Sequence, residues 1–367
     1  MITIIGAGPA GCYAAYLLAK NGHEVHIYEE HSSIGSPIQC TGLVTSSISK
    51  VYEPDNSSIV NRISKVSIFS PDNKAIKITF REENLVLDRQ RFDSEIAKKA
   101  EQQGAKIHLN HRLIDYDNST NTLKIKSILD NKIIEIKDSI VIAADGPQSR
   151  IAASFNKEPN KFWLGIQYLI EYENENEIEF YPSIATFAWI VPEDEHKARI
   201  GLISDSNDPK IRENLHLFLS QKCGKDYKKK IISTQAGLIP RFNPRKVLQK
   251  NNAFLIGDAA SLVKATTAGG IIQSLQSAEI LAGCIDKKKD YTKELRKKMY
   301  KDLKIHAYMR NIMDKFTDKD WNSLFKKFGS PKAKEILENN DRDDPKALII
   351  KLLKADPSLL FYARFLI

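Results

Sequence analysis

Long apolar runs are missing from this chain. Nothing approaches the ~18 consecutive apolar residues of a membrane span, and no basic segment with a cleavage site surrounds the opening strand. These absences argue against a spanning helix and a secretory leader, so a cytoplasmic protein is expected. Cysteine is scarce as well. The four cysteines in 367 residues (Cys12, Cys40, Cys223 and Cys284) are widely spaced and form no CxxC pair, which argues against a zinc site or a disulfide framework. No metal is expected. Internal repeats, low-complexity linkers and any aromatic–basic nucleic-acid signature are also lacking. The net charge of +9 is therefore read as a solvated lysine-rich surface, or as attraction to an anionic membrane or an acidic partner, with nucleic acid excluded.

What remains is ordinary for a folded protein, with 42% hydrophobic and 28% charged residues. Residues 2–6 (ITIIG) read as a buried strand, 9–21 as a helix rich in small residues, and 24–29 (EVHIYE) as the next strand. A β-α-β start of this kind predicts a doubly wound parallel sheet. Alternating stretches near 63–69 and 75–80 suggest antiparallel strands, and LVLDRQRFDSEIAKKAEQQG a turn, a helix and its glycine stop. Residues 122–144 read as a hairpin and a returning core strand. The segment from about 160 to 245 is mainly β, and everything after about 270 is helical. The expected architecture is α/β: a discontinuous dinucleotide-binding domain (1–160 and 246–285, with a small β insertion near 60–84), an inserted antiparallel substrate domain (161–245) and a C-terminal helical region (286–367).

Gly6-Ala7-Gly8-Pro9-Ala10-Gly11 lies between the first strand and helix, where a dinucleotide fingerprint belongs. Gly6 permits the tight turn, Gly8 lets backbone approach a pyrophosphate, and Gly11 lets the helix pack closely. The helix N-terminus offers free N–H groups to phosphate, and Glu29 ends the second strand where a ribose hydroxyl would meet it. Two more apolar strands end in acid–glycine turns, IAADGPQSR with Asp145 and Gly146, and FLIGDAAS with Gly257 and Asp258. Asp258 is placed to accept a hydrogen bond from a ribityl hydroxyl. In this order the three motifs resemble the FAD-dependent hydroxylase superfamily of para-hydroxybenzoate hydroxylase type, which implies FAD. Within that resemblance Asp88-Arg89-Gln90-Arg91-Phe92-Asp93 matches a DRxxFD segment, implying that Arg89 reaches the cofactor. Thr266-Thr267-Ala268-Gly269-Gly270, followed by Ile271, opens a helix whose N-terminus would face the flavin's pyrimidine edge and favour negative charge there.

Three further segments narrow the resemblance to the geranylgeranyl reductase family, and with the start and helical tail it covers most of the chain. Pro37-Ile38-Gln39-Cys40-Thr41-Gly42-Leu43 is similar to that family's P-x-Q-C-x-G-L loop. Phe187-Ala188-Trp189-Ile190-Val191-Pro192 is similar to its Y-x-W-x-F-P motif, and GDAASLVKATTAGGIIQSLQSA to its GDAAG…TTGGGI…SA segment. Phe187, Val191, Ser261 and Ala268 depart from the pattern, standing for Tyr, Phe, Gly and Gly. The resemblance implies an FAD-dependent reductase that saturates C=C bonds of geranylgeranyl lipid chains. Hydride would come from the flavin and a proton from the site. Cys40 is the candidate for a role beside the reacting bond, and Phe187, Trp189 and Pro192 are candidates for the substrate wall.

With no second glycine-rich fingerprint, the electron donor is expected to be docked NAD(P)H or a ferredoxin-like protein. Lysines at 287–304 and the apolar tail carrying Lys351, Lys354 and Arg364 suggest peripheral attachment to an anionic membrane face. The alternatives on the same fold are a flavin monooxygenase or halogenase, and a non-catalytic prenyl-binding escort.

Overall fold

Ile2–Ile5 and Val25–Tyr28 form neighbouring parallel strands, joined through the Pro9–Lys20 helix. The computed structural model describes residues 1–137, 140–156, 158, 160–340 and 343–366. Ile140–Ala143 pairs in parallel on the other side of Ile2–Ile5, Ala253–Leu255 lies beyond it, and Lys106–His108 lies outside Val25–Tyr28. The short antiparallel Gln249–Lys250 completes six strands. Strands covered on both faces carry apolar residues throughout rather than alternately, and ITII and IVIA are such runs. The Pro9–Lys20 helix lies against the Arg89–Gln102 and Ile271–Asp286 helices, with Ala10, Ala14 and Ala15 among its buried residues. Small side chains there permit close layers. Gly6 and Glu29 directly follow the carboxyl ends of their strands, Asp145 follows its strand after Ala144, and Asp258 follows its strand after Ile256 and Gly257. They therefore share one edge of the sheet, where open α/β sheets bind ligands.

An eight-stranded sheet forms the second layer, in the order Ile231–Pro240, Phe162–Glu171, Lys197–Asp205, Phe187–Asp194, Glu177–Tyr181, Ile59–Phe69, Ala75–Leu87, Leu43–Val44. Its neighbours run antiparallel except for Glu177–Tyr181 against Ile59–Phe69. This corrects one expectation. The strands near 60–84 are not a separate insertion in the dinucleotide domain, because Lys65–Ile68 pairs with Glu177–Phe180 and extends the large sheet. The physical reason lies in packing: Ile63 and Val66, on either side of an irregularity in their strand, and Val86 are buried in the same cluster as Trp163, Phe187 and Trp189. A helix at Ile211–Cys223, unforeseen within the β segment, covers part of the sheet through Leu215, Phe218 and Leu219.

The expected hairpin is present as Thr122–Ser127 with Ile133–Lys137, extended to three strands by His111–Asp117. The C-terminal region is helical at Tyr291–Met313, Asp318–Phe328, Pro331–Glu338 and Pro345–Ala355, ending in a 3-10 segment, Pro357–Leu366. Among the described residues no helix is long and apolar enough to cross a membrane.

Candidate active site

One cavity of about 1200 Å³ runs from the carboxyl edge of the parallel sheet to the face of the eight-stranded sheet. At its first end the backbone requires glycine. Gly6 has φ +97°, and a Cβ there would lie 2.4 Å from the Ala144 carbonyl oxygen. A Cβ on Gly11 would lie 2.0 Å from the Gly6 oxygen, so this residue serves close packing and does not line the cavity. Gly8, Pro9 and Ala10 do line it, and a Cβ at Gly8 would meet nothing within 4 Å. That leaves open space over the start of the Pro9–Lys20 helix, where N–H groups and the helix dipole favour an anion. The Glu29 carboxylate accepts from the Ala7 N–H at 2.7 Å, and from the His31 N–H at 3.0 Å, holding the strand end against the loop.

Asp145 and Asp258 are both half-buried and line this space. Asp145 accepts from the Arg150 N–H at 3.2 Å through Oδ2, while its Oδ1 is buried with no partner among the described residues. Burial pushes the Asp145 carboxyl up to about 6. Burial does the same for Asp258, also to about 6, against the opposing pull of Arg89 and Lys246. Gly146 lines the cavity. Gly257 does not: with φ +58° it turns the chain beneath Asp258, and its N–H donates to Ser277 Oγ at 3.0 Å. A buried acceptor without a donor is costly. An orphaned carboxylate oxygen beside a glycine-framed helix N-terminus therefore fits a ligand bringing both hydroxyl donors and phosphates, and FAD carries both.

Arg89 opens the Arg89–Gln102 helix, capped by Asp88. Its guanidinium is held by Asp93 in two bonds, Nε to Oδ1 at 3.0 Å and Nη2 to Oδ2 at 2.8 Å. Burial works against its charge, but Asp93 and Cys40 outweigh it, so the group stays firmly protonated. The Cys40 sulfur lies within electrostatic reach of this guanidinium, and the Gly42 N–H donates to Cys40 Sγ at 3.3 Å. Cys40 and Arg89 thus share the cavity wall. Gly269, Gly270 and Ile271 also line the cavity, and a Cβ on Gly270 would lie 3.1 Å from Asp258 Oδ1. Ala268 and Ser261, the two departures from glycine, both adopt left-handed backbone, φ +54° and +57°.

Toward its second end the cavity becomes apolar. Phe187 and Trp189 line it with ring centroids 5.6 Å apart. Trp189 Nε1–H donates to Gln167 Oε1 at 3.2 Å, and the Thr41 hydroxyl donates to the same oxygen at 2.7 Å. Gln167 therefore ties the Cys40 loop to the aromatic wall, a role that an isolated glutamine on a strand did not reveal. Val191 lines the cavity, but Pro192 does not: it is buried within its strand, its carbonyl accepting from Asn61 Nδ2 at 3.2 Å. The sequence reading also missed Val66, Ile68, Ile78 and Phe80, and a roof that includes Phe328, Leu348, Ile349 and Leu352. A signal existed in the alternation of Ile76, Ile78 and Phe80 and in the apolar run ALII.

Polar groups cross this roof. Lys264 Nζ bonds Asp343 Oδ1 at 2.5 Å, the Thr45 hydroxyl donates to Asp343 Oδ2, and Thr266 Oγ1 lies 2.7 Å from His306 Nδ1. Burial and the Lys264 charge hold His306 down at about 4, so its ring is neutral near pH 7.

A family model for an NAD(P)-binding Rossmann-like domain matches residues 4–41. The chain is 27% identical to a digeranylgeranylglycerophospholipid reductase of Methanocaldococcus jannaschii, covering 100% of this chain and 98% of the relative. It is 28% identical to a protein of the same name from Methanococcus vannielii, with the same coverage of both chains. Among solved structures, a geranylgeranyl bacteriochlorophyll reductase-like protein from Thermoplasma acidophilum superposes with a TM-score of 0.84 at 22% identity, covering 100% of this chain and 98% of that one. A flavin-dependent halogenase shares the fold more distantly, with a TM-score of 0.69 at 17% identity, covering 98% of this chain and 78% of that one. The likeness to geranylgeranyl reductases thus extends over the full length of the chain.

Proposed function

We propose that this chain is an FAD-dependent reductase that saturates C=C bonds in the geranylgeranyl chains of membrane lipids. One observation carries the reading: the glycine- and carboxylate-framed end of the cavity opens without a partition into apolar walls. Bound there, the reduced flavin supplies a hydride to one alkene carbon. The chain's own residues do the rest. Gly8, Glu29, Asp145 and Asp258 hold the cofactor, with the Thr266–Gly270 turn at its far edge. Phe187, Trp189 and Val191 hold an isoprenoid segment dry, since an unconjugated alkene offers nothing to hydrogen-bond and its position is set by shape alone. Cys40 Sγ provides the proton for the second carbon, and the adjacent Arg89 guanidinium stabilises the thiolate left behind. That proton is replaced from solvent before the next bond is reduced.

The large aromatic walls favour a lipid over a small hydroxylation substrate. Mass spectrometry of lipid retained by the purified protein tests this: an isoprenoid chain is expected, and retention of only small aromatic molecules would overturn it. For the partner surfaces, the basic chain suits an anionic face. Ile350, Leu360 and Phe361 are 42%, 60% and 55% exposed near the cavity roof, among Lys346, Lys351, Lys354 and Arg364. Each cation near an anionic surface contributes about 1 kcal/mol, weakened by salt. Reversible peripheral attachment here would bring the lipid to the roof. Sedimentation with anionic but not neutral vesicles, released by salt, is the expected result, and equal recovery in both supernatants would contradict it. Electrons arrive from an acidic, ferredoxin-like protein or from docked NAD(P)H, distinguished by supplying each in turn.

A further inference from the structure

The Cys40 loop lies across the large sheet, over three neighbouring strands. Gln39 rests on Ile231–Pro240, where a Cβ on Gly237 would stand 3.1 Å from the Gln39 Cβ. The Thr41 hydroxyl meets Gln167 on Phe162–Glu171 at 2.7 Å. The Thr41 carbonyl accepts from Arg199 Nη1, on Lys197–Asp205. Arg199 is only 4% exposed. Ala198, Ile200 and Leu202 pack beneath the Ile211–Cys223 helix, so alternation turns Arg199 to the opposite side of the sheet, the side on which Ile203 lines the cavity. A guanidinium among apolar neighbours is informative through what it bonds. Nη1 donates a second time, to the Leu87 carbonyl at 3.0 Å, and Nη2 donates to Glu193 Oε1 at 2.8 Å. Leu87 ends its strand directly before Asp88, the cap of the Arg89 helix. Gly42 lets these parts meet. Its φ is +73°, and a Cβ there would lie 2.4 Å from the Leu87 oxygen and 2.9 Å from Arg199 Nη1.

We propose that Arg199 is a positioning residue for Cys40, a guanidinium that fixes the Cys40 loop against the start of the Arg89 helix by spanning the Thr41 and Leu87 carbonyls. Cys40 immediately precedes Thr41, and Arg89 follows Leu87 by two residues. One rigid fork therefore sets the spacing of thiol and cation. Arg199 does not itself line the cavity, so it acts through the backbone. A buried ion pair adds little net stability over apolar side chains of the same volume, which makes what Arg199 holds more telling than its charge. Its planar fork keeps several acceptors in one fixed arrangement, as a point-like ammonium cannot. Glu193 balances the charge from the far side, leaving both Nη1 hydrogens for the two carbonyls.

The test is the double variant Arg199→Met with Glu193→Gln, which removes the clamp without leaving an unpaired buried charge. Glu193→Gln alone, which keeps both carbonyl bonds, is the comparison. Each holoprotein is labelled with iodoacetamide, and the rate at each cysteine is read by peptide mass spectrometry. One lost hydrogen bond from a charged donor corresponds to about tenfold or more in a loop-opening equilibrium. Cys40 labelling should therefore rise at least about tenfold in the double variant, with the half-buried Cys223 unchanged and Glu193→Gln close to wild type. In lipid turnover kcat should fall by a similar factor while KM for lipid and FAD affinity hold, because the thiol is misplaced and the rest of the cavity is not. Cys40 labelling at the wild-type rate, an unchanged kcat, or an equal rise at Cys223 overturns the proposal, the last because general loosening acts on both thiols. If the double variant does not fold, Arg199→Lys decides. It keeps the charge and loses the fork, so Cys40 labelling should rise by a smaller factor, and an unchanged rate counts against the proposal. The proposal rests on Cys40 as the proton donor. Full turnover in Cys40→Ala would defeat that reading, whereas unchanged labelling defeats the role of Arg199.

Discussion

Asp258 should show opposite effects on the fold and on the cofactor. Its carboxyl is half-buried, and desolvation raises it from an ordinary 3.8 to about 6. A carboxyl with a raised folded value stabilises the fold below about pH 3.8, and that contribution is lost as pH rises through about 6. At pH 7 the ionised form therefore costs the apoprotein about two units' worth, roughly 3 kcal/mol. Asp258→Asn removes the charge with little change of shape, so the apoprotein should melt higher at pH 7 and no differently at pH 3.5. The cofactor moves the other way. A hydrogen bond to a charged group contributes roughly 1.5–3 kcal/mol, so Asp258→Ala should weaken FAD binding by about 10- to 150-fold, with Asp258→Asn in between. Differential scanning fluorimetry of apoprotein and fluorescence titration with FAD measure the two effects. An apoprotein less stable at pH 7 with unchanged FAD affinity would show that Asp258 is an ordinary turn residue and refute the reasoning.

Cys40→Ala should slow alkene reduction at least tenfold while FAD stays bound, and full activity in that variant removes Cys40 as proton source. Ala268→Gly relieves left-handed backbone at φ +54° and should stabilise the protein by about 1 kcal/mol, read from denaturant midpoints. A lower midpoint would mean that the methyl group's packing matters more than the backbone. Ile349→Arg places a charge in the cavity roof, so lipid turnover should fall with FAD affinity unchanged, whereas normal turnover would put the lipid elsewhere.

The parallel sheet was legible because each of its main strands is an apolar run ending in a cofactor motif, and backbone geometry ties those glycines and carboxylates to one edge. Gly6, Asp145 and Asp258 could be read from local chemistry alone. The large sheet was harder. Strand order depends on which edges meet in space, and the parallel pairing of Lys65–Ile68 with Glu177–Phe180 joins segments more than 100 residues apart. Pro192 shows the limit of motif transfer: strand alternation turns Phe187, Trp189 and Val191 toward the cavity and Pro192 away. Gln167, Lys246 and His306 carry no local signal, since a single polar residue looks the same on a solvated face as in a buried network. The roof helix Pro345–Ala355 read as an amphipathic tail, and which of its faces meets the cavity is decided only by packing.

The central claim is that this cavity brings an isoprenoid alkene to a reduced flavin. The most direct measurement is anaerobic incubation of the dithionite-reduced holoprotein with a geranylgeranyl glycerolipid, followed by mass spectrometry of the extracted lipid. The account predicts gains of about 2 Da per bond, dependent on bound FAD. Gains of about 16 Da on admitting air, with no hydrogenated product beforehand, would contradict it and make the protein an oxygenase.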